Sequence, residues 1–288
     1  MYINPIRYHH TQYTQAKPQK QPQVSFTSNP NSHILEFLYN DFFVNIEGYG
    51  KNTDWAREAK LVADKAVEKI KNTDNADDVL PSIAFGIRGA NQYCWGIKKK
   101  QHSGLLRTYR RGYGTPGRWL GKELTTPIDG MYKKYYDKLQ MATLLPIKNP
   151  YQDISLTKVE RDEVFSKLTL THGDGECINS ALDRVGNKYS KLHKKFISKP
   201  ENVTSETLPE INSDVAEIRW IMAHSMPWER GSDAISNVFT RALYKSMGIK
   251  TYPLKEGISL DLEAFCTPLE KYKNNFHTYF EQNPRVIE

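Results

Sequence analysis

The run Ala234, Ile235, Val238, Phe239, Ala242, Leu243 and Met247, set between Gly231-Ser232 and Gly248, constrains the fold more than any other feature of the chain. Apolar residues three and four apart line one face of a helix, Ser232 offers an N-cap, and Gly248 supplies a left-handed stop. A stripe this wide has to be buried against other helices, and candidates lie on both sides. Cys177, Ile178, Ala181, Leu182, Val185, Tyr189 and Leu192 recur at helical spacing after a turn at Thr171–Gly175. A further helix is expected from about Ser213 to His224 behind Asn212 or Ser213. Thr267-Pro268-Leu269-Glu270 reads as a capping box with proline at the first helical position, leading into Leu269, Tyr272, Phe276 and Phe280.

The first half is more mixed. Residues 1–33 are rich in Gln, Pro, Thr, Ser and Asn and lack Asp and Glu, the composition of a disordered tail. That tail is read either as a secretion leader or as inert. Ile34 to Val44 suggests a strand or short helix, and Asn52, Thr53 and Asp54 offer caps for a helix from about Trp55 to Lys71. Residues 81–97 combine Gly with Ile83, Phe85, Ile87, Tyr93, Trp95 and Ile97 and predict one or two strands. A loop from Gly104 to Gly121 and a helix over 122–141 follow. Two prolines between Leu144 and Asp153 mark a boundary. The expected class is α+β, mainly α, divided into 1–33, 34–150 with the strands and a basic loop, and 151–288, with 34–288 as one domain the alternative.

Charge is localised. The chain carries a net +7, and residues 98–138 hold 11 Lys and Arg against Glu123, Asp129 and Asp137, so the remainder is near neutral. One surface is therefore expected to meet an anion such as a nucleotide phosphate. Arg107, Arg110, Arg111 and Arg118 are the candidate grip, with Tyr109, Tyr113 or Trp119 to stack on a base. The same basic and aromatic interleaving suits single-stranded nucleic acid, the weaker partner reading. Three widely spaced cysteines, Cys94, Cys177 and Cys266, suggest neither a disulfide framework nor a metal pair. No apolar run is long enough to span a bilayer, so a protein without a membrane partner is expected.

Two segments could carry chemistry. In His172-Gly173-Asp174-Gly175-Glu176-Cys177 a cysteine enters the first turn of a helix, as in thiol-dependent hydrolases and transferases, although Cys177 also lies on the apolar stripe of a buried, inert thiol. In His224-Ser225-Met226-Pro227-Trp228-Glu229-Arg230-Gly231-Ser232-Asp233 a loop delivers the unpaired N–H groups of a helix start beside Arg230, an anion site opposed only by the charge of Asp233.

That second segment resembles the loop of the Fic/Doc group in the Fido superfamily, His-Pro-Phe-x-Asp/Glu-Gly-Asn-Gly-Arg, with Pro227, Trp228 and Gly231 matching. Met226 stands where the family has its catalytic histidine, Arg230 replaces the acid, Ser232 the Asn, Asp233 the second Gly and Ala234 the Arg. This pattern is similar to the divergent avirulence-protein-B-like branch, and the likeness spans about residues 160–280. The resemblance implies a Fido-like helical core and a bacterial effector that moves part of a nucleotide, or a sugar, from a nucleotide-linked donor to a side chain of a host protein. It implies no tightly bound cofactor, with magnesium an optional companion of the donor. The protein would occupy the bacterial cytoplasm before export into a host cell. Arg230, Gly231 and Ser232 would lie near the donor phosphates, and His224, two residues before Met226, is the candidate substitute base.

Overall fold

A computed structural model describes residues 40–42, 52–113, 124–127, 135–162 and 167–287. The tail expected over 1–33, most of the element expected over 34–44, and Arg118 and Trp119 lie outside the described residues. Helix α1 (Thr53–Asn72) starts where Asn52 Oδ1 accepts the Trp55 N–H at 2.9 Å. Its buried face, Trp55, Ala56, Ala59, Ala63, Ala66, Val67 and Ile70, is dominated by alanine, which lets neighbouring helices approach closely.

Helix α2 (Ala76–Trp95) replaces the strands expected over 81–97. Asn75 caps it, and Val79, Leu80, Ile83, Ala84, Ile87 and Ala90 are buried at helical, not alternating, spacing. Its glycines mislead because one serves packing: a Cβ on Gly86 would lie 2.8 Å from both γ carbons of Val62 on α1. The helix expected over 122–141 divides into strand β1 (Leu124–Pro127), helix α3 (Tyr136–Leu144) and an interval outside the described residues.

Strands also occur in the second half. β2 (Lys158–Asp162) and β3 (Lys167–His172) join β1 in an antiparallel sheet of order β1-β3-β2, with Leu124 opposite His172 and Val159 opposite Leu170. Helices α4 (Gly175–Leu192), α5 (Leu208–Ser225) and α6 (Ser232–Ser246) then form the centre. α5 begins five residues earlier than expected, with proline in its first turn. It is buried nearly all round, including Ile211, Val215, Ile218, Trp220 and Ile221, because α4, α6, α7 (Leu260–Cys266) and α8 (Leu269–Asn275) all pack on it. α6 lies on α1, α2 and α5. The capping box expected at α8 does not form: Pro268 is itself the cap residue and no side chain caps the helix. Short strands β4 (Ile249–Lys250) and β5 (Arg285–Val286) pair beyond α6.

The protein is thus mainly α-helical with a small antiparallel sheet. Among the described residues no helix is long and apolar enough to cross a membrane. Ile87 is fully buried where α2 backs the loop before α6. Ile87→Ala is expected to lower the unfolding free energy by about 3 kcal/mol, read by urea denaturation, whereas a solvent-facing strand residue there would cost almost nothing.

Candidate functional site

Residues 226–231 connect α5 to α6. Met226 ends α5 with φ +40°, the one non-glycine residue in the left-handed region among the described residues, and its N–H returns to Met222 O. Trp228 is buried, and the Ser232 hydroxyl closes the loop by accepting from Trp228 N–H and donating to Trp228 O, both at 3.0 Å. Gly231 takes φ +86° and opens α6 with no side-chain cap on its first N–H groups.

The loop is held from outside by the start of the basic segment. Arg107 N–H donates to Pro227 O at 2.8 Å, Glu229 N–H to Leu105 O at 2.9 Å, and Gly104 N–H to Arg230 O at 2.9 Å. Residues 104–107 therefore form a strap along the loop, wedged against α2. Gly104, at φ +70°, is required there because a Cβ would lie 2.4 Å from Ala84 O. Asn91 links the layers, accepting from Trp55 Nε1 and donating to Ser103 Oγ.

Beneath the strap the Arg107 guanidinium is fully buried. It donates to Ser225 O at 3.3 Å, Met226 O at 2.9 Å and Gly173 O at 2.5 Å. Burial pulls its pKa down to about 10, against the opposing pull of Asp174 and Glu229, so it stays charged at neutral pH. Thr108 Oγ1 donates to Gly175 O beside it.

Two buried histidines lie behind the clamp. His224 Nδ1 accepts the Thr157 N–H at 3.1 Å, so its other nitrogen carries the proton and donates to Ala264 O at 3.1 Å. Thr157 Oγ1 donates to His224 O, which makes it the acceptor of His172 Nδ1–H at 2.8 Å. Burial holds both imidazoles neutral, each with its pKa lowered to about 3, and Arg107 adds to the effect on His172. Thr157 and Phe265 also line a cleft of about 350 Å³ between α3 and β2.

Several expected site residues are therefore committed elsewhere. His224 has both ring nitrogens engaged inside the core and cannot serve as a general base. Ser232 spends its hydroxyl on Trp228. Arg107 grips backbone carbonyls, and Arg110 pairs with Asp77 at 2.9 Å and Asp183 at 2.8 Å and donates to Asn179 O, so neither faces a donor. Arg230 and Arg111 are exposed, as is Tyr109 at 71%. Cys177, half-buried, has its Sγ 3.1 Å from Ser155 Oγ and its amide capped by Asp174.

Sequence reasoning missed Arg219. Its guanidinium is 1% exposed and bridges Asp233, in the first turn of α6, to Asp261 on α7. The two carboxylates hold Arg219 charged, above the ordinary arginine range, while burial pushes Asp261 up and Arg219 pulls it down. Asp233, half-exposed at the start of α6, thus shares one guanidinium with Asp261. No helical spacing announces the pair, because Arg219 and Asp233 lie 14 residues apart on different helices. Glu229 and His102 were missed as well: their carboxylate and imidazole lie 3.0 Å apart across the strap.

Residues 147–283, just under half of the chain, match the AvrB_AvrC avirulence protein family. The matched span runs from before β2 to beyond α8 and contains α5, the loop and α6, but not the strap. No curated protein matches the chain.

Removing the clamp leaves three carbonyls without their donor in a dry site, so Arg107→Ala is expected to cost about 3 to 5 kcal/mol in chemical denaturation. The neutral histidines give a second outcome. Their folded pKa values lie below the ordinary 6.5, so their stabilisation is complete above pH 6.5 and is lost as pH falls towards 3. At pH 5 the loss is about 2 kcal/mol for each histidine. Urea midpoints measured from pH 7.5 to 5 should fall accordingly, and His224→Gln should remove roughly half of that slope.

Proposed function

We propose that the protein is a bacterial effector that transfers a nucleotide-derived or sugar group from a nucleotide-linked donor to a side chain of a host protein. The donor diphosphate would sit on the N–H groups that open α6. One observation carries this reading: in α6 the helix start has no side-chain cap, Arg230 stands exposed beside it, and Asp233 in its first turn is ion-paired with Arg219. An open helix N-terminus with a guanidinium at its mouth is a favourable place for phosphate oxygens. The family match supports the effector part of the reading, since the matched span includes this loop.

The strap gives the site its supporting residues. Tyr109 and Arg111 follow it directly and are exposed, so they are available to a base or a phosphate, while Arg107 acts by fixing the loop. Positioned positive charge stabilises a departing diphosphate, and magnesium bound to the donor would add to the same effect. Avirulence proteins are the source of the acceptor proposal, a protein of the host cell into which the effector is delivered.

The test is a thermal-shift series with ATP, UTP, UDP-glucose and dTDP-rhamnose, with and without magnesium. A donor at 100 times its Kd should stabilise the fold by about 2.7 kcal/mol. The expected result is a selective rise with one donor class that disappears in Arg230→Ala while that variant keeps its own melting temperature. An unchanged melting temperature with all four, or an equal shift in Arg230→Ala, would overturn the reading.

A further inference from the structure

Transfer to a protein hydroxyl requires a group that accepts the hydroxyl proton. Met226 has no basic atom, and His224 is locked in the core. A carboxylate and an imidazole that meet across the strap have the arrangement this task needs.

Glu229 lies in the middle of the loop, yet its side chain is only 1% exposed. No described amide or hydroxyl hydrogen-bonds either of its carboxylate oxygens. What faces the carboxylate is His102, whose buried Nδ1 stands 3.0 Å from Oε2 in a charge contact outside hydrogen-bond geometry, with the Arg107 charge acting on Glu229 from the clamp side. A carboxylate withdrawn from water without hydrogen-bond donors is costly unless a cation or a strongly polarised N–H compensates it. The fold keeps it in this position because Glu229 N–H is pinned to Leu105 O.

His102 is placed differently. Its side chain is 25% exposed, so one edge of the ring reaches the surface while the other faces the buried acid. Nε2 lies 2.9 Å from the side-chain nitrogen of Gln101, an amide that only donates. Nε2 is therefore the acceptor, and the imidazole proton sits on Nδ1, towards Glu229. This is the tautomer of a general base oriented by a carboxylate: a lone pair directed outward, and a negative charge behind the ring that stabilises the imidazolium once it forms. Gln101 is an exposed residue, and an incoming hydroxyl would replace its amide at Nε2. The position is also appropriate. His102 comes two residues before Gly104, whose N–H bonds Arg230 O, so the ring shares an end of the loop with the start of α6.

We propose that His102 is the general base of the loop site and that Glu229 is its positioning residue. This rests on the transferase reading above. In the step, Nε2 of His102 takes the proton of an acceptor Ser, Thr or Tyr hydroxyl as the hydroxyl oxygen bonds to the electrophilic phosphorus or anomeric carbon of the donor. The bond from that atom to the leaving phosphate oxygen breaks, its electron pair departs with the phosphate, and the imidazolium later releases its proton to solvent.

The test has two arms on the full chain. In the first, long-range ¹⁵N–¹H spectra of the histidine rings read the tautomer without any ligand. Wild type should show His102 protonated on Nδ1, and Glu229→Gln should abolish that preference. A wild-type ring protonated on Nε2, or a Glu229→Gln ring unchanged from wild type, would overturn the dyad. In the second arm, the donor that shifts the melting temperature is followed for release of its nucleoside phosphate. His102→Gln, a partly exposed position, should keep the donor shift and lose turnover by about 100-fold or more. Turnover at the wild-type rate in His102→Gln would overturn the base while leaving the transferase reading standing. Absence of any donor shift in wild type would remove the transferase reading, and the spectra would still decide the dyad.

Discussion

The structure around the loop depends on a single buried cation. The Arg107 guanidinium is fully buried and donates to the carbonyls of Ser225, Met226 and Gly173. The first two end α5, where the helix dipole leaves negative partial charge, so the guanidinium joins the Thr157 hydroxyl, which donates to His224 O, in compensating the helix terminus. The third belongs to the turn that opens α4. One side chain thus ties the ends of two central helices to the strap, and the strap in turn fixes the backbone of Pro227, Glu229 and Arg230.

This arrangement separates the arginines of the basic segment by task. A local excess of positive charge suggests a surface, but Arg107 and Arg110 are turned inward to carbonyls and to Asp77 and Asp183, while Arg111 is exposed. Charge at the loop is balanced in the same way. Arg219, shared between Asp233 and Asp261, offsets part of the acid charge at the start of α6. His224 and His172 are neutral and contribute none.

Much of the fold was legible because it is local. The stripes of α1, α4 and α6, the cap at Asn52 and the stop at Gly248 lie within a few residues of the elements they define. α2 was not, because Gly86 and the β-branched residues around it look like strand, and the reason for glycine is a Val62 side chain on another helix. β2 and β3 were hidden by Lys158, Glu160, Arg161 and Lys167, which leave little apolar alternation to recognise. At the site, the helix–loop–helix over α5 and α6 could be read in outline. The strap could not be read, since its pairing with residues 227–230 follows no periodicity, and neither could the His102–Glu229 contact that depends on it.

The Arg107 clamp also bears on the order in which the chain assembles. Its contact with Ser225 O joins residues 118 apart, the strap pairs over similar separations, and the packing of α6 on α1 spans a longer one. Closing so long a loop costs entropy before any of the contacts it permits can repay it. The loop therefore acquires its shape only as the two halves of the polypeptide come together. A fragment limited to the matched span 147–283 would contain α5 and α6 but would lack the residue that shapes the turn between them.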